Sequence, residues 1–185
     1  MTADRTETLA AQLAELRALD LTGLPPSTPV TEAELTDLEH ALGVALPTTY
    51  RNFLLRVGTG PGPYYGLHRV ADLHVNAKDR GDTAGLFPLT PADFEEHFVT
   101  ARARSIEMDF DAPGCLEIGH QGCSDTTVLI LTGELAGTVC DQWENQWAPA
   151  RTPLGSTNAL ELGLTPTLDE WYGAWLTGRL AALQK

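Results

Sequence analysis

Between Thr6 and Leu19 the apolar positions Leu9, Leu13, Leu16 and Leu19 recur at spacings of four, three and three, which predicts an amphipathic helix. The turn-rich segment GLPPSTP follows, and a second helix starts at Thr31. There TEAE places Glu34 three residues after a hydroxyl N-cap, the capping-box arrangement. Leu35, Leu38 and Leu42 form its apolar stripe, and Gly43 can take the left-handed conformation that ends it. LPTTYRNFLLRVG predicts a third helix with Pro47 in its first turn, Tyr50, Phe53, Leu54 and Val57 on one side, and Gly58 closing it. GTGPGPYYGLHRV is too rich in glycine and proline for a helix and reads as a shaped loop entering a strand at Tyr64 to Val70.

Within TPADFEEHFVTARARS, Phe94 and Phe98 have helical spacing. From Gly114 the pattern becomes strand-like, with CLEIG, TTVLIL and GTVCDQ separated by turns at Gly119 to Ser124 and at TGELAG, as in an antiparallel meander. TLDEWYGAWLTGRLAAL predicts a closing helix, with Thr167 and Glu170 as a second capping box and Leu168, Trp171, Trp175 and Leu176 as its core face. Helices, then strands, then a helix predict an α+β fold in which an antiparallel sheet packs against helices. The expected organisation is an N-terminal amphipathic helix and linker over 1–24 and a single domain over 25–185.

At 185 residues with 43% hydrophobic positions, the chain suffices for one core burying roughly 70% of its unfolded surface. No stretch approaches the ~18 apolar residues of a membrane span, and the charged N-terminus lacks the apolar run of a secretory signal. Three cysteines, an odd number without a disulfide framework, agree with a reducing compartment. The expectation is a cytoplasmic protein with no membrane contact.

The net charge of −13, from 25 acids against 12 bases, argues against a nucleic-acid partner, whose phosphates need a basic footprint. It permits a basic one. The imbalance is concentrated between Ser105 and Ala150, where Glu107, Asp109, Asp111, Glu117, Asp125, Glu134, Asp141 and Glu144 meet no lysine or arginine. Such a region is either a solvated acidic face or an electrostatic docking surface.

Cys115, His120, Cys123 and Cys140 invite a metal or catalytic reading, but their spacing lacks the close ligand pairs of a zinc site. The nearby carboxylates disfavour a thiolate nucleophile. Strand positions instead suit small buried cysteines. The glycine loop lacks the GK[ST] ending of a phosphate cradle, and Pro61 and Pro63 remove amide donors. Glycines there allow tight turns, leaving Tyr64 and Tyr65 to fill or rim a groove. Trp143 and Trp147 flank ENQ after a strand and suit a partly exposed binding surface.

LGVALPTTYRNFLLRVGTGPGPYYGL, GCLEIGHQGCSDTTVLILTGELAGTVCD and TLDEWYGAWL, in this order, resemble the SUKH superfamily of Smi/Knr-type proteins, with Cys140 where relatives commonly carry tryptophan. The resemblance implies an α+β domain, mostly non-enzymatic, with many members acting as bacterial immunity proteins against a toxin, often a nuclease. It also implies that Cys115 and Cys123 are structural. The expected function is therefore binding of a cognate toxin or other basic protein, with no cofactor and no metal. The expected contact residues are Tyr64, Tyr65, Asp125, Asp141, Trp143, Glu144 and Trp147. An intracellular regulatory or scaffold module, or a small-ligand binder using a groove near Tyr64, Tyr65 and His68, is the alternative. An enzyme built on the cysteine and histidine cluster is a third.

Overall fold

The computed structural model describes residues 5–19, 24–153 and 159–183. Residues 1–4 and 20–23 of the expected N-terminal segment lie outside them.

Helix α1 (Arg5–Leu19) buries Leu9, Leu13 and Leu16 and leaves Leu19 exposed. It packs on the closing helix α6 (Leu168–Leu183). α2 (Glu32–Leu42) starts at the expected capping box, with the Thr31 amide donating to Glu34 Oε2 at 2.8 Å, and stops at Gly43 with φ 69°. α3 (Thr48–Arg56) buries Tyr50, Phe53 and Leu54. The box at α6 forms equally, Thr167 N donating to Glu170 Oε2 at 2.9 Å.

Two segments depart from the sequence expectation. Tyr64 to Val70 is not a strand, because left-handed φ values at Tyr64 and Gly66 bend the chain and leave only isolated bridges from Leu67 to Gly60 and Gly119. Helix α4 (Val70–Asp79) follows at once and buries Leu73 and Ala77. The segment around Phe94 and Phe98 is helical, as a short α5 (Pro91–Phe94) running into a π-helical turn over Glu95–Thr100.

The main sheet has the order β1-β5-β4-β3-β2, all antiparallel, from β1 (Ile106–Glu107), β2 (Cys115–Gly122), β3 (Asp125–Ile130), β4 (Val139–Trp143) and β5 (Gln146–Pro149). β6 (Arg151–Pro153) and β7 (Ala159–Glu161) pair separately. The meander is as expected, but β2 runs through Gly119 to Gly122, so only Cys123 and Ser124 remain of the expected turn. Within ENQ, Glu144 and Asn145 form a hairpin turn between β4 and β5, and Gln146 begins β5.

Both faces of the sheet are covered, in keeping with strands that read as continuous apolar runs. Leu116, Ile118, Leu129 and Val139 join the cluster shared with α1, α2, α3, α4 and α6. Cys115, Val128, Ile130, Cys140 and Trp147 join a second cluster with Phe87, Phe94 and Ile106.

Arg80, at the C-cap of α4, penetrates the second face with its side chain only 4% exposed. Its guanidinium stacks 5.0 Å from the Phe110 ring and 5.9 Å from Trp147. It donates to the Phe110 carbonyl at 2.9 Å and to Gln142 Oε1, and it lies 3.9 Å from Glu117 Oε2. Removing one member of a buried charged network leaves the others unpaired. Arg80→Ala is therefore expected to cost about 3–5 kcal/mol in urea unfolding, whereas Arg69→Ala, at an exposed ion pair with Asp72, is expected to leave the unfolding midpoint nearly unchanged. Equal small losses would show that the buried guanidinium is dispensable.

Candidate binding rim at the turn end of the sheet

The β2–β3 and β4–β5 turns lie at the same end of the sheet, because consecutive antiparallel strands alternate direction. Asp125 and Trp143 are direct cross-strand partners there and share a face. Glu144 occupies the turn just beyond Trp143, and Glu107 on β1 pairs with Gln146 beside it.

The glycine-proline loop closes against this end. The Tyr65 amide donates to the His120 carbonyl at 3.3 Å, and the Tyr65 ring lies over Gly122, where a Cβ would stand 2.9 Å from Cε2 of the tyrosine. Gly66 is tighter, since a Cβ there would lie 2.3 Å from the Gly60 carbonyl oxygen. Tyr65 itself is 78% exposed. Helix α6 supports the loop from below: Tyr172 Oη donates to the Pro61 carbonyl at 2.9 Å. Tyr64 Oη and Trp171 Nε1 both donate to the Arg151 carbonyl, at 3.2 and 3.1 Å.

Among the described residues, the non-glycine positions with positive φ are Tyr64 (56°), Arg102 (54°), Cys123 (54°) and Glu144 (51°). Three of the four sit on this rim. A left-handed conformation costs such residues roughly 1–2 kcal/mol, so the rim holds conformations that the surrounding scaffold must stabilise.

Behind the rim lies a buried polar cluster around Asp141. Its carboxylate accepts from Gln121 Nε2 at 2.6 Å and from the Arg151 amide at 3.1 Å, and lies 3.6 Å from Arg151 Nε. Burial outweighs these stabilising contacts and pushes the Asp141 carboxyl up to about 6. The Arg151 side chain is half exposed, which weakens its share. Burial, with Asp141 next, pushes the Tyr64 hydroxyl up to about 12.

The seven expected contact residues therefore divide. Tyr64, Tyr65, Asp125, Trp143 and Glu144 come together at the rim. Trp147 does not: strand alternation turns it to the opposite face, where it is fully buried beside Phe87 and donates from Nε1 to the Asp109 carbonyl. Asp141 belongs to the rim's support and is only 2% exposed. His120, Gln121 and Arg151 were not anticipated at the site. Arg151 carried a signal, as the first cation after the long acidic stretch.

The cysteines and histidines do not converge. Cys115 and Cys140 are buried, as expected of packing residues, and burial pushes the Cys115 thiol up to about 11 and Cys140 higher still. Cys123 departs from that expectation: it lies at the opposite end of β2 from Cys115 and is exposed. The His120 ring accepts at Nδ1 from the Gly122 amide, and His68 Nε2 faces Glu117 Oε1 at 2.9 Å. A cavity lies beside β5, with none of Tyr64 to His68 in its lining. Among the described residues, no helix is long and apolar enough to cross a membrane.

The raised Asp141 carboxyl has a defined sign in stability. The native state holds its proton more tightly than the unfolded chain, so this group's contribution is largest below its ordinary value near 3.8 and is lost as pH rises to about 6. Asp141→Asn removes that dependence. The variant is expected to gain on the parent by roughly 2 kcal/mol between pH 4 and 6 in urea unfolding, at up to about 1.36 kcal/mol per pH unit. Parallel curves over that window would contradict the assignment.

Comparison with curated proteins finds no significant match. The family comparison does: residues 29–157, from the segment before α2 to just beyond β6, match the SMI1/KNR4 family (SUKH-1). This span contains α2 to α5, the whole five-stranded sheet, the glycine-proline loop and the strained rim. The chain is a member of the SMI1/KNR4 (SUKH-1) family.

Proposed function

We propose that the protein is a non-catalytic immunity protein that neutralises a cognate toxin by binding it through the rim formed by Tyr64, Tyr65, Asp125, Trp143 and Glu144. The observation that carries this reading is the concentration of strained backbone, exposed aromatic surface and exposed carboxylates at one end of the sheet. Strain of this kind persists where a scaffold holds residues for recognition. Membership in a family whose proteins are commonly immunity proteins supports it.

The charge pattern indicates the partner. Asp125, Glu144 and Glu107 are exposed on or beside the rim, within a stretch of sequence from Ser105 to Ala150 that holds no lysine or arginine. A toxin domain of net positive charge, such as a nuclease, meets a complementary potential there, which accelerates encounter and is screened by salt over ~8 Å at physiological ionic strength. Tyr65 supplies an amphipathic anchor that loses little conformational freedom on binding.

The test uses the product of the gene adjacent to this protein's, expressed as the candidate toxin. Co-expression is expected to rescue growth, and stopped-flow association is expected to slow at least tenfold between about 50 and 500 mM salt. Asp125→Lys with Glu144→Lys is expected to reduce the association rate by a similar factor while changing dissociation little. An association rate indifferent to salt and to these reversals would overturn the electrostatic reading. Tyr65→Ala is expected to weaken the complex by about 2 kcal/mol with an unchanged Tm, because the ring is exposed in the free protein. A lowered Tm with unaltered affinity would assign Tyr65 to folding alone.

A further inference from the structure

The acidic stretch without cations is bracketed by Arg104 and Arg151, and the fold brings these two arginines to one cavity. β1 is only two residues long and pairs with β5 at Gln146 and Trp147, so it does not extend along Ala148 and Pro149. A cavity of about 610 Å³ opens beside that stretch, within the ~300–1,000 Å³ usual for small-molecule sites. Its walls include Phe98, Trp143, Leu162 and Leu164, and its lining is mostly apolar.

Among the described side chains, the charged groups that line this cavity are Arg104 and Arg151, and Glu161 stands opposite Arg151 in the β6–β7 register. Arg151 is engaged with buried Asp141. Arg104 is exposed, and among the described residues no carboxylate lies within ion-pair distance of it. No aspartate or glutamate lines the cavity among the described residues. A protein of net charge −13 thus keeps an apolar recess whose lining charges, among the described side chains, are guanidinium groups, shaped to hold a carboxylate by paired N–H donors.

We propose that this cavity binds a small amphipathic carboxylate, with its hydrocarbon part against Phe98, Trp143, Leu162 and Leu164 and its carboxylate at Arg104. This goes beyond toxin binding at the rim and needs no toxin present. Two residues connect them: Trp143 pairs with Asp125 on the rim and lines the cavity, and Arg151 contacts Asp141 behind the rim and lines it too.

Octanoate, octylammonium and the full-length ¹⁵N-labelled protein provide the test, read from the Trp143 indole N–H resonance and by calorimetry. Octanoate is expected to shift that resonance saturably, and octylammonium to bind at least tenfold more weakly. Arg104→Gln is expected to weaken octanoate at least fivefold with no change in Tm, and Arg104→Lys to recover part of the loss. Ala103→Trp, which fills the cavity from its wall, is expected to abolish the shift. The proposal is overturned if octanoate gives no saturable shift, if octylammonium binds as well, or if Arg104→Gln binds octanoate like the parent.

Discussion

The buried guanidinium of Arg80 organises the sheet and everything mounted on it. A cation taken out of water needs compensating partners, and Arg80 finds them in three different segments. The Phe110 carbonyl belongs to the loop after β1, Gln142 to β4 and Glu117 to β2. Gln142 also donates to the Phe110 carbonyl at 2.8 Å, closing a small ring of contacts. These contacts, made by the two terminal nitrogens, tie α4 to two strands and to the connection that leads from β1 into β2, while Arg80 Nε is buried without a hydrogen-bond partner among the described residues. The Trp147 ring, stacked near the same guanidinium, extends the tie to β5.

That rigidity allows the rim to carry strained conformations. Tyr64, Cys123 and Glu144 lie on three separate turns, and each turn is anchored by contacts behind it. Tyr172 and Trp171 on α6 hold the glycine-proline loop and the start of β6, while Asp141 gathers Gln121 and Arg151 beneath the surface. A buried carboxyl with a raised pKa is a cost to the fold, and its position directly under the rim parallels the strain above it. Stability is given up locally where surface chemistry is displayed.

Much of this was legible in the sequence because it is local. The capping boxes at Thr31–Glu34 and Thr167–Glu170 need only four consecutive residues, and both form. The meander followed from short apolar runs between turn residues. α4 escaped notice because its N-cap is Arg69, not a hydroxyl residue; Asp72 accepts from the Arg69 amide instead, and the preceding glycines suggested a loop running into a strand. Trp147 was misplaced because two tryptophans four residues apart look alike until the hairpin turn between them fixes which face each takes. Asp141 shares a face with Val139 and Trp143 along β4, and its burial depends on Gln121 and Arg151, which reach it only after folding. The exposure of Cys123 similarly follows from β2 extending to Gly122, which leaves the cysteine at the tip of a two-residue turn.

The central claim is that the turn end of the sheet, and not the helical side, meets the partner. Hydrogen–deuterium exchange of the protein alone and mixed with the product of the adjacent gene tests this. Slowed exchange on binding should concentrate in residues 62–66, 122–126 and 142–146, with α1 and α6 unchanged. Protection confined to α1 and α6, with the rim exchanging as in the free protein, would contradict the account.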